Sequence, residues 1–94
     1  LLIEVSDNAH LRKLIINGGF LLNVDYPTKN VKLHRTACLV CNPDSCIGVK
    51  PSSKREKKTG EFWYSDNRKE ADCKAGEFSK KKDYRYSLCL SCSP

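Results

Sequence analysis

Leu11, Leu14 and Ile15 recur at the three- and four-residue spacing of one helix face. From Phe20 onward the period changes to two, with Phe20, Leu22 and Val24 set between polar or outward positions and Leu21 the exception. Leu1 to Val5 reads as a short strand, Ser6-Asp7 as helix-cap chemistry, and about Asn8 to Ile16 as a first helix ended by Asn17-Gly18-Gly19. Asp25 to Asn30 is turn material and Val31 and Leu33 resume the alternation, which predicts a hairpin. Further on, Ile47-Gly48-Val49-Lys50 and Glu61 to Ser65 read as paired strands joined by a flexible loop, Pro51 to Gly60. Ser65-Asp66 then caps a second helix to about Lys82 whose Ala71, Ala75 and Phe78 form one stripe. Cys73 falls nearly opposite that stripe, toward solvent. Tyr84 to Leu88 closes the pattern as a last strand.

This order predicts an α+β fold, a small antiparallel sheet with two helices. The chain of 94 residues suits one domain, and its modest core makes a covalent or metal staple a natural supplement. It starts at Leu1 and has no methionine, as expected of an excised domain of a larger protein or a processed chain. A secretory signal removed in processing would leave no trace, so compartment is argued from the cysteines.

Cysteine spacing adds chemistry. Cys38-Leu39-Val40-Cys41 and Cys89-Leu90-Ser91-Cys92 are two pairs of identical spacing at element ends, where they can meet at one edge of the sheet in a zinc-ribbon-like arrangement. Zn2+ takes four soft or borderline ligands tetrahedrally, so Cys38, Cys41, Cys89 and Cys92 make a closed structural site. His34, on the outward parity of its strand with Lys32, is the alternative to Cys41. Cys46 and Cys73 are left as free thiols or as a pair, and His10, beside Arg12 and Lys13, as a surface residue. Six cysteines in a short chain also suit a secreted framework of three disulfides, which would hold no metal. The zinc reading places the protein inside the cell, cytoplasmic or nuclear.

Charge narrows the partner. The formal net charge is +6, with six basic against four acidic residues up to Lys50 and eleven against seven after it. Lys54, Arg55, Lys57 and Lys58 in the loop, with Lys80, Lys81, Lys82 and Arg85, are expected to form one positive face for nucleic acid, DNA ahead of RNA. Trp63 and its neighbours Phe62 and Tyr64 point to opposite sides of their strand. Either Trp63 stacks on a base beside those lysines or both sides are packed. No apolar run approaches the roughly 20 residues of a membrane span.

The run His34-Arg35-Thr36-Ala37-Cys38, the strand Phe62-Trp63-Tyr64-Ser65, Ala71 and Ala75 on a helix, Tyr84-Arg85 and Cys89 to Pro94 resemble the zinc domain of Ada-type alkyl-phosphotriester repair proteins and related small domains of DNA-processing proteins. The likeness runs from about Leu33 to Pro94. It implies a ligand set of His34, Cys38, Cys89 and Cys92, with His34 at the position of the methyl-accepting cysteine. An imidazole lacks the methyl-transfer chemistry of a zinc thiolate, so the resemblance implies DNA binding without that repair activity.

The sequence shows no paired carboxylates, no Ser/His/Asp arrangement and no phosphate-cradling glycine loop, and so suggests no enzyme. Two further classes stand beside the nucleic-acid binder: a zinc-stapled protein-interaction module, and the secreted disulfide-linked protein.

Overall fold

Asp7, in extended conformation, accepts a hydrogen bond from the His10 amide at 2.8 Å and starts helix α1 (Asn8–Ile15), as its cap chemistry predicts. The computed structural model describes residues 1–38, 50–90 and 92. Among them are strands β1 (Leu2–Glu4), β2 (Phe20–Asp25), β3 (Asn30–Arg35), β4 (Gly60–Ser65) and β5 (Arg85–Leu88), and helices α2 (Pro51–Lys57) and α3 (Arg68–Lys81). The five strands form a sheet in the order β1-β4-β2-β3-β5, and the fold is α+β. The strand expected at Ile47–Lys50 falls largely outside the described residues. Among these residues, no helix is long and apolar enough to cross a membrane.

The sheet is mixed rather than antiparallel. Pairs β1–β4, β4–β2 and β2–β3 are antiparallel, but β3 and β5 are parallel, with Asn30 opposite Arg85 and Leu33 opposite Leu88. The connection explains this. Helix α3 returns the chain to the end of the sheet where β4 began, so β5 runs in the same direction as β4 and β3. Alternation in the sequence sets which residues face the core, but it carries no information on strand direction.

Both sheet faces are covered. Leu22, Val24, Val31 and Leu33 pack under Ala71, Ala75 and Phe78 of α3. On the other side Leu21, Phe62 and Tyr64 pack with Val5, Leu11 of α1, Cys38 and Cys89. Double cover accounts for Leu21, the apparent break in the alternation: Leu21 and Leu22 are both fully buried, one on each face.

The segment after Lys50, expected to be a flexible basic loop, is helix α2. Pro51 occupies its first turn, where a missing N–H costs nothing, and Lys58, left-handed at φ 54°, ends it. Lys54 anchors the helix: only 2% exposed, its ammonium donates to Asn23 Oδ1 at 2.6 Å and Val24 O at 2.8 Å, and Asp25 lies 3.4 Å away. Gly60 leaves room for that stem, since a Cβ there would lie 2.9 Å from Lys54 Cδ and Nζ. The second predicted helix is α3, with its stripe of Ala71, Ala75 and Phe78 buried as expected and Cys73 exposed. Its cap is Asn67, which accepts from the Lys69 and Glu70 amides, while the Ser65 hydroxyl donates to the Glu70 carboxylate at 2.8 Å.

Candidate metal centre

The parallel pairing of β3 and β5 brings the residues that follow both strands to one end of the sheet. The Cys89 amide donates to Leu33 O at 2.9 Å, extending the ladder one residue past β5 and seating Cys89 beside His34. After β3 the chain turns tightly, the Cys38 amide donating to Arg35 O at 3.0 Å. That turn is pinned by the Thr36 amide on Gly19 O at 3.1 Å. Gly19 has φ 112°, and a Cβ there would lie 2.7 Å from Ser65 O, so the position requires glycine. Cys92 Sγ accepts the Arg35 amide at 3.2 Å.

The result is a cluster in which the ligating atoms of His34, Cys38, Cys89 and Cys92 all lie within 4.8 Å of one another. His34 is 3% exposed, and neither ring nitrogen has a hydrogen-bond partner. A buried polar group left in that state costs about 1–3 kcal/mol, and coordination to a metal ion removes the deficit at the ligating nitrogen. Burial first, and Lys32 second, push the imidazole down to about 4, so it is neutral at pH 7 and able to ligate.

The thiols have the complementary problem. Burial, with Cys89 and Cys38 close by, pushes Cys92 up to about 11, against the opposing pull of the Arg35 amide. Three thiols gathered in a buried pocket cannot ionise together without a cation among them, and a divalent ion reverses that balance. One imidazole nitrogen and three sulfurs can hold a metal ion with every tetrahedral position filled by protein.

Three of the four cysteines expected as ligands, Cys38, Cys89 and Cys92, are therefore brought together with the alternative ligand His34. Cys41, like Cys46, lies outside the described residues. Parity placed His34 and Lys32 on the same side of β3. Lys32 is exposed, whereas His34 is covered by the cysteines that gather over the end of the strand. His10 is engaged locally, its Nδ1 3.0 Å from the Ser6 hydroxyl.

The expected nucleic-acid residues do not form one face. Lys54 is buried and its ammonium is committed to Asn23, Val24 and Asp25, which corrects its assignment as a phosphate ligand. Arg55 is exposed and donates to Ser6 O at 3.1 Å, and Lys57 and Lys58 are exposed at the end of α2. Lys80, Lys81 and Lys82 are exposed around the end of α3, on the opposite face of the sheet. Arg85 is exposed on β5. Trp63 is half-buried against the α3 side, with the Lys74 ammonium 4.1 Å from its ring centre, while Phe62 and Tyr64 are buried on the other side of β4. Lys32 was passed over by composition, although its parity with His34 placed it on the same side of the strand.

Comparison with protein-family models, with curated proteins and with solved structures returns no match.

Proposed function

We propose that the protein is a zinc-stapled binding module whose partner is nucleic acid, DNA ahead of RNA. The observation that carries the metal half is the buried His34 imidazole, unpartnered at both nitrogens and within 4.8 Å of three thiols. Three sulfurs and one imidazole form the donor set of structural zinc sites. Filled by four protein ligands, the ion has no position for a substrate, and its role is to clamp the end of β3 to the segment after β5. That function is binding rather than catalysis.

Nucleic acid is supported by the net charge of +6 and by the crowding of Lys57, Lys58, Lys80, Lys81, Lys82 and Arg85 toward the end of the sheet remote from the metal. The resemblance of His34 to Cys38 and Cys89 to Pro94 to Ada-type zinc domains points the same way. Titrating labelled single-stranded and duplex oligonucleotides against the zinc-loaded protein at rising salt is the test. For three phosphates neutralised, affinity should fall by roughly one to two orders of magnitude between about 50 and 200 mM salt. Binding to neither form at low salt would contradict the nucleic-acid half and turn attention to a protein partner.

A further inference from the structure

The face of the sheet that carries His34 continues, away from the metal centre, into a block of polar side chains. Asn23 lies opposite Lys32 and Lys32 opposite Ser87, and one step further Asp25 lies opposite Asn30 and Asn30 opposite Arg85. Residues two apart on a strand share a face, so these six belong together across three strands. With Thr28 from the hairpin turn and Lys54 from α2 they line a cleft of about 400 Å³. That volume falls in the range of small-ligand sites.

The charge of the cleft is unbalanced. Lys32, Lys54 and Arg85 are cations, and Asp25 is the one carboxylate among the described lining residues. Asp25 is already engaged by the Thr28 amide and hydroxyl and by Lys54, and the Thr28 hydrogen bond above all holds its carboxyl below the usual range. Lys32 and Arg85 are exposed and have no carboxylate partner among the described residues. Asn23 gives its Oδ1 to Lys54, which leaves its amide N–H groups for another acceptor. A concave, donor-lined surface with excess positive charge attracts anions, and a guanidinium beside an ammonium suits the oxygens of a phosphate.

We infer that this cleft is a phosphate-binding site, with the phosphate oxygens held between Lys32 and Arg85, while the Lys54 ammonium at the base stays with Asn23, Val24 and Asp25. It depends on the metal centre mechanically: the parallel β3–β5 pair that sets Arg85 and Ser87 beside Asn30 and Lys32 is the pair clamped at its far end by His34, Cys38, Cys89 and Cys92. The phosphate group has two sources, free phosphate or a mononucleotide on one hand and a nucleic-acid backbone on the other, and the second rests on the nucleic-acid reading.

The test is an NMR titration of the zinc-loaded, ¹⁵N-labelled full chain with inorganic phosphate at constant ionic strength. Saturable shifts at the amides of Asn23, Asn30, Lys32, Arg85 and Ser87 are expected. Lys32→Gln and Arg85→Gln should each weaken binding by about tenfold, as loss of one charged hydrogen bond does. Lys13→Gln and Lys69→Gln, which remove the same charge from exposed positions on α1 and α3 outside the cleft, should leave it unchanged. Shifts that do not saturate, or equal weakening by all four variants, would overturn the site. Both cleft positions are exposed, so the variants should fold; the unsubstituted protein's titration decides the matter if one does not. A single-stranded oligonucleotide that displaces phosphate supports the backbone as source. Phosphate binding with no oligonucleotide binding would retain the cleft and sink the nucleic-acid reading alone.

Discussion

Cys89→Ser should unfold the protein or strip it of metal, while Cys73→Ser should do neither. Cys89 is 6% exposed, lies within 4.8 Å of the other three ligating groups, and its amide extends the β3–β5 ladder. A hydroxyl is a far poorer zinc ligand than a thiolate, so the substitution forfeits much of a metal-binding free energy of about 10–16 kcal/mol. Small domains have only about 5–15 kcal/mol of total stability, so that loss is comparable to the whole. Cys73 lies on the exposed side of α3, away from the stripe of Ala71, Ala75 and Phe78. Metal content by elemental analysis and thermal unfolding by circular dichroism check both variants. If the two behave alike, the ligand assignment is wrong.

The second large effect is expected at Lys54. Lys54→Met keeps most of the stem against Phe62 but removes the ammonium that bonds Asn23 Oδ1 and Val24 O and sits 3.4 Å from Asp25. The acceptors left behind lie at a buried or half-buried site, and the charge of Asp25 loses its nearest compensation. The cost should be about 2–4 kcal/mol. For a chain of this size that corresponds to a fall in Tm of roughly 10–25 °C. Urea unfolding of the metal-loaded protein measures it, with Lys57→Met, three residues on and exposed, expected to change stability by less than about 0.5 kcal/mol. Equal stability of the two variants would show that the Lys54 ammonium holds α2 no more firmly than a surface lysine would.

Local signals in the sequence located most of the elements. Asp7 as a cap, the Gly18-Gly19 stop, the hairpin around Asp25 to Asn30 and the stripe of α3 all state a backbone conformation or a buried face within a few residues, and all are found. What escaped depended on distant parts of the chain. Lys54 sits among Arg55, Lys57 and Lys58, and composition makes the four equivalent. One of them is buried because β2 presents Asn23 and Asp25 beneath α2, a pairing of residues some thirty positions apart. The direction of β5 likewise follows from the length of α3 and where it returns the chain, not from the residues of the strand.

The metal centre was half legible for the same reason. Spacing singled out the segments that carry Cys38, Cys89 and Cys92, and it put Cys41, which lies outside the described residues, ahead of a histidine inside a strand. His34, the alternative ligand in the sequence, joins Cys38, Cys89 and Cys92 because Cys89 lies beside it, and that follows from the parallel register of Leu33 with Leu88. The basic face failed on topology as well: α2 and α3 finish toward the same end of the strands but on opposite faces, while Lys32 and Arg85, far apart in sequence, line one cleft.

X-ray absorption at the zinc edge of the metal-loaded protein tests the central claim most directly. The expected result is one zinc per chain with three sulfurs at about 2.3 Å and one nitrogen at about 2.0 Å. A shell of four sulfurs would remove His34 from the centre, and protein that takes up no zinc would contradict the metal centre altogether.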